Sequence, residues 1–135
     1  MRRTAVSTVH AFTPDGEPAP LAPYNTVCTY GDLVFLGGHL PLGPDGELLS
    51  HLSPGEQTTN TMEHLRVSLE SANSDFDHLL KVTIYATSLD DFAEINKAYA
   101  EFFTGHLPAR ATIQAGRLIG GVALEIEAVA ARRTD

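Results

Sequence analysis

The chain contains one cysteine, Cys28, and no tryptophan. A single thiol excludes an intramolecular disulfide framework and a four-cysteine zinc site. The missing tryptophan argues against glycoside hydrolysis, whose sites usually carry aromatic platforms. Positive charge is also short: 9 Lys+Arg stand against 17 Asp+Glu, a formal net charge of −8. That balance speaks against a general binder of nucleic acid or of anionic membranes. No apolar run approaches the roughly 20 residues needed to cross a bilayer. After the basic Met1-Arg2-Arg3, the stretch Thr4 to His10 is too short and polar for a signal-peptide core, so a cytoplasmic setting is expected.

What remains is an ordinary globular balance, with 43% hydrophobic and 19% charged residues in a chain of 135. That suffices for one domain over 1–135 with its own core. Thr4 to Val9 is β-branched and reads as a strand, and the proline-rich residues 13–23 read as a surface loop. Asn25 to Tyr30 and Leu33 to Gly37 form two strands around a Gly31-Asp32 turn. Ser53-Pro54-Gly55-Glu56 is a capping box opening a helix that buries Met62, Leu65 and Leu69 and closes at Asn73. In Leu80 to Thr87, Leu80, Val82, Ile84 and Ala86 share one strand face. Asp90 or Asp91 caps a second helix with Phe92, Ile95, Tyr99 and Phe102 on one stripe, stopped by Gly105. Two strands complete the chain; Val122, Leu124, Ile126, Ala128 and Ala130 share one side of the last.

The order βββ-α-β-α-ββ describes an α+β fold whose two helices cover one sheet face and leave the other bare. Thr112, Gln114, Glu125, Glu127 and Val129 are expected on that second face, which would pack on other subunits or line a site.

Several residues could carry chemistry. Pro108 blocks a helix, so Arg110 opens a strand among small alanines, where its guanidinium fork suits bidentate capture of a carboxylate. An ion pair within the chain is the competing use. Glu125 and Glu127 emerge on one face about 7 Å apart and could orient or deprotonate water, or could simply be a solvated face. The six histidines show no helical metal spacing; His39 stands out because Gly37-Gly38 lets backbone approach a ligand beside it. Cys28 reads as a small core residue, and Asn96 as either a polar site member or an exposed helix residue. The pairs Gly37-Gly38 and Gly120-Gly121 lack a nucleotide-binding context.

Taken together and in order, these pieces resemble the RidA/YjgF family of small enamine/imine deaminases, from about Ala22 to Ala130. The likeness is carried by Ala22-Pro23-Tyr24, Gly31 to Pro41, Asp45-Gly46-Glu47, Lys81 to Tyr85, Asp91 to Asn96 and Tyr99 to Phe103. Pro108-Ala109-Arg110 and Glu125-Ile126-Glu127-Ala128 are its most specific parts. The resemblance implies a chorismate-mutase-like fold, a six-stranded mixed sheet with two helices on one face. It implies a homotrimer with a central barrel and clefts between subunits. It further implies hydrolytic deamination of 2-enamino or 2-imino acids to 2-oxo acids and ammonia, with no metal or organic cofactor. Arg110 would grip the substrate carboxylate and Glu125 would position the water, while Tyr24, Gly38, His39, Thr112 and Asn96 bind substrate. Arg110 and Glu125 are expected from neighbouring strand ends of one chain, with Tyr24 entering from the next subunit. The chain departs from the best-known members in having Gly37-Gly38-His39 for Ser-Gly-Gln, Thr112 where cysteine is common, and a shorter loop before Pro108. A trimeric small-carboxylate-binding or regulatory protein using the same cleft is the competing reading. Ribonuclease activity, attached to some relatives, suits the acidic charge poorly.

Overall fold

The computed structural model describes residues 8–134. Six strands form one sheet in the order β1-β2-β3-β6-β4-β5. They are β1 His10–Phe12, β2 Val27–Tyr30, β3 Leu33–His39, β4 Leu79–Ala86, β5 Ala109–Gln114 and β6 Leu124–Ala131. The strand expected over Thr4–Val9 falls largely outside the described residues. All pairings are antiparallel except that of β4 with β5, a parallel edge reached through the crossover helix α2, Phe92–Ala100. The other helix, α1 Pro54–Ser71, packs on the same face. The α+β class and the helix-covered single face are as expected.

Local chemistry explains the elements. Ser53 accepts from the Glu56 amide and the Glu56 side chain accepts from the Ser53 amide, so the capping box opens α1 as read. Asn73, at φ 59°, ends it: its amide reaches Glu70 O, and the Ser74 amide reaches Leu69 O, a Schellman closure. Gly31, at φ 58°, turns β2 into β3. The second helix differs from expectation at both ends. Asp91 makes no side-chain cap; instead the Ser88 hydroxyl accepts from the Asp90 amide and starts a short 3-10 turn. The helix stops at Ala100 rather than Gly105, because Phe102 and Phe103 tighten into bonds to Tyr99 O and Ala100 O.

The core lies between α1, α2 and the sheet. Val27, Val34, Met62, Leu65, Leu69, Val82, Ile84, Ile95, Leu124 and Ile126 are fully buried there. In β6 the alternation is clean, with Leu124, Ile126, Ala128 and Ala130 inward and Glu125, Glu127 and Val129 on the uncovered face. β4 breaks its own alternation. Leu79 pairs with Ala130 and Lys81 with Val129, so Leu80 is the extra residue of a bulge and lies exposed instead of joining Val82 and Ile84. Cys28 is likewise not core: the buried neighbours Val27 and Thr29 put it on the uncovered face, half-buried. Tyr30, Leu33, Phe35 and Ile113 are exposed apolar residues of that face.

The fold predicts two graded losses in urea at fixed protein concentration. Leu65→Ala, which empties a fully buried site, should cost about 3 kcal/mol. Ser53→Ala, which removes only the cap, should cost about 1 kcal/mol. Equal losses would contradict the division between core and cap.

Candidate functional site

The pairing register decides where each predicted residue points. Arg110 lies opposite Val82, Thr112 opposite Ile84 and Gln114 opposite Ala86, so all three face the helices. Thr112 and Gln114 therefore do not share the uncovered face with Glu125 and Glu127, contrary to expectation. Glu125 lies opposite Tyr85 on that other face. Arg110 and Glu125 are thus on opposite faces, two strands apart and three residues out of step, about 14 Å between backbones. One chain does not bring them together.

Each anchors its own cluster. Arg110 Nη2 donates to Asn96 Oδ1 of α2 at 2.6 Å. Its guanidinium carbon sits 4.8 Å from the Tyr99 ring centroid and 5.7 Å from that of Phe92. Phe92, the first residue of the predicted apolar stripe, is thereby spent on the arginine and stays part-exposed. Burial pushes the Tyr99 phenol up, so it remains a neutral aromatic face for the cation. Among the described residues no carboxylate is ion-paired with Arg110. The half-buried guanidinium keeps donors free while two rings and an amide hold its plane. Thr112, next on the same face of β5, has a buried hydroxyl with no hydrogen-bond partner. Asn96 is therefore a member of this cluster rather than a free helix residue.

The second cluster surrounds Glu125. A register shift between Leu36 and His39 lets the two glycines of β3 pass beneath it. A Cβ on Gly38 would fall on the Glu125 carboxylate, so only glycine leaves that carboxylate its place. Burial, then the charge of Glu127, pushes the Glu125 carboxyl above the usual carboxylate range. Glu127 accepts from the Tyr85 hydroxyl at 2.5 Å. Tyr24, Gly38 and His39 line a cavity of about 30 Å³, room for a water. Tyr24 thus belongs to the Gly38 side of the same chain. On the uncovered face, Cys28, Phe35, Lys81, Thr83 and Glu127 line an open groove of about 470 Å³.

His39 turns the other way. It lies opposite Ile126 on the core side and is 4% exposed. Nδ1 donates to Gly37 O at 2.7 Å, so Nε2 of the neutral ring accepts from the Ser68 hydroxyl at 2.7 Å. The ring braces the glycine backbone from below. Among the described residues no three His, Cys, Asp or Glu side chains cluster as metal ligands. No helix there is long and apolar enough to cross a membrane. Sequence reading missed the Tyr85–Glu127 bond, although the alternation that buried Val82 and Ile84 already put Tyr85 on the face of Glu125. It also missed the 2.7 Å contact of His64 Nδ1 with Glu17, 47 positions away, for which no local signal exists.

Residues 15–132 match the family model described as endoribonuclease L-PSP. The chain is 36% identical to protein DfrA of Myxococcus xanthus, over 96% of this chain and 98% of that one. It is 31% identical to the 2-iminobutanoate/2-iminopropanoate deaminase of Escherichia coli, over 88% and 94% respectively. Among solved structures it superposes on Escherichia coli TdcF with bound serine at a TM-score of 0.84 and 30% identity, covering 92% of this chain and 99% of that one. The YjgF gene product of Escherichia coli gives 0.84 at 29% identity, with the same coverages.

Burial lowers the His39 pKa from 6.5 to about 4. Between those values the unfolded chain binds a proton that the folded ring refuses. The ring's contribution is therefore complete above pH 6.5 and is lost as pH falls toward 4, about 3 kcal/mol in all. His39→Gln should flatten that stretch of the stability curve measured by urea midpoints. Parallel curves for variant and parent would place the acid sensitivity elsewhere.

Proposed function

Because the chain belongs to the endoribonuclease L-PSP family, the RidA/YjgF proteins, and holds Arg110 without a carboxylate partner, we propose that it hydrolyses 2-enamino and 2-imino acids to 2-oxo acids and ammonia. The observation that carries this reading is that half-buried, ring-braced guanidinium, free of any ion pair among the described residues. Its free donors fit the carboxylate of an amino-acid-derived substrate, Asn96 holds the guanidinium in place, and Thr112 follows Arg110 on the same face of β5. Support also comes from the deaminase relative and from the relative whose structure holds serine, itself an α-amino acid.

The iminium carbon is already electrophilic, so geometry and proton traffic are the main demands. Glu125 accepts a proton from water while the water oxygen bonds to that carbon, which yields a neutral carbinolamine. The Glu125 carboxyl then returns the proton to nitrogen. The C–N bond breaks as the hydroxyl oxygen forms the carbonyl, and the hydroxyl proton leaves with ammonia as ammonium. The net change is iminium plus water to 2-oxo acid plus ammonium, with Glu125 regenerated. A carboxyl raised by burial suits both directions of this transfer. The Gly38 backbone lies against Glu125, His39 braces that backbone from within, and Tyr24 lines the small cavity beside Gly38.

The two clusters sit apart in one chain, so a complete pocket takes Arg110 from one subunit and Glu125 from the next. Such a head-to-tail contact generates a ring where its rotation closes, and the family resemblance supports three subunits in that ring. The exposed Tyr30, Leu33, Phe35 and Ile113, with the half-buried Cys28, supply an apolar face for it. RNA cleavage is the weaker reading: the net charge is −8, and Glu125 and Glu127 line the face in question.

Light scattering should give a mass three times 14.5 kDa. Arg110→Ala and Glu125→Gln should each abolish 2-oxo acid release from 2-iminobutanoate generated in situ by an amino-acid oxidase. Mixing the two dead variants through unfolding and refolding should recover about a quarter of the sites, because each mixed trimer rebuilds one intact pocket. No recovery would remove the shared pocket, and tight 2-oxobutanoate binding without turnover would favour a carboxylate-binding protein instead.

A further inference from the structure

Glu125 and Glu127 stand two residues apart on one face of β6, and Tyr85 of β4 lies directly opposite Glu125. Yet the phenol is bonded diagonally, donating to Oε1 of Glu127 at 2.5 Å. Two carboxylates at this spacing raise each other's affinity for a proton, so that one takes a proton up before the other. A donor on one of them decides which, since a hydrogen bond stabilises the anion that accepts it. The remaining neighbours do not compete for that choice. On this face β5 brings Ala109, Ala111 and Ile113, β3 brings Phe35 and the glycines, and β2 brings Cys28. Lys81 lines the same groove but makes no ion pair with either glutamate.

We propose that Tyr85 is a positioning residue that makes Glu125, rather than Glu127, the member of the pair that takes up a proton, by holding the Glu127 carboxylate as a hydrogen-bond acceptor beside it. The assignment deepens the hydrolytic reading above and rests on Glu125 as its base. Tyr85 and Glu127 exchange no proton with substrate. Glu127 strengthens Glu125 as the acceptor of the water proton, and Glu125 gives that same proton back to nitrogen. Both neighbouring groups move in the direction this requires: Glu125 is pushed up by burial and by Glu127, and the phenol is pushed up chiefly by its bond to Glu127, so it stays a donor.

The test is a carboxyl-carbon NMR titration of the full chain labelled with ¹³C-glutamate, with Glu125→Gln and Glu127→Gln identifying the signals. In Tyr85→Phe the two carboxyls should titrate together, with their first protonation at higher pH. In Glu127→Gln the Glu125 signal should titrate at lower pH, and adding Tyr85→Phe to that variant should move nothing further. With 2-iminobutanoate generated in situ, the acidic limb of kcat/KM should follow the same opposite directions, and kcat of Tyr85→Phe should fall about tenfold. A Glu125 titration unmoved by Tyr85→Phe, or shifts of one sign in both single variants, overturns the assignment. Expected titrations without any turnover leave the assignment standing and remove the hydrolase reading; turnover with carboxyls indifferent to Tyr85 does the reverse.

Discussion

The two-residue period of three neighbouring strands governs everything else in this molecule. Because β5, β4 and β6 are locked in register, each side chain's face is decided by whether its number is in step with Ile84 and Ile126. Those isoleucines are fully buried under the helices and fix which face is inside. Slipping any of the three strands by one residue would exchange core for surface, so the register is strongly enforced. The same enforcement places Arg110 among helix residues and Glu125 on bare sheet. The separation of the two groups follows from packing energy in the core and needs no separate explanation.

Within that frame the two ends of the proposed pocket are held by different physics. Arg110 is held by shape and polarisability: two aromatic rings and one amide fix the plane of a charge that remains half in water. Glu125 is held by exclusion, since glycine beneath it and a second anion beside it leave few places for the carboxylate. The first arrangement gives orientation at small desolvation cost. The second raises the affinity for a proton while keeping the group reachable. A small protein with one sheet can supply both because they draw on opposite faces.

Much of this was legible in the residues. The capping box at Ser53, the left-handed closure at Asn73 and the alternation of β6 are local codes, and local codes read well. Leu80 was misplaced because a bulge inserts one residue and inverts the parity of everything before it, which the alternation pattern alone does not reveal. Cys28 was misplaced for a related reason, since a small apolar side chain fits either face and only its neighbours decide. Thr112 and Gln114 went to the wrong face because the parallel pairing of β5 sets their direction, and pairing partners are not written in the strand itself. Asn96 and Arg110 were both noticed singly; their contact joins a helix to a strand across a crossover.

The glycine at position 38 leaves this chain an uneven freedom to change. Its neighbours contribute a packed ring or an open backbone, for which other residues of similar bulk could stand in over many generations. At position 38 even one methyl group would push the Glu125 carboxylate from its seat. Change at 38 would therefore reach the proposed base directly, whereas change at 37 or 39 would act on it only through the surrounding backbone.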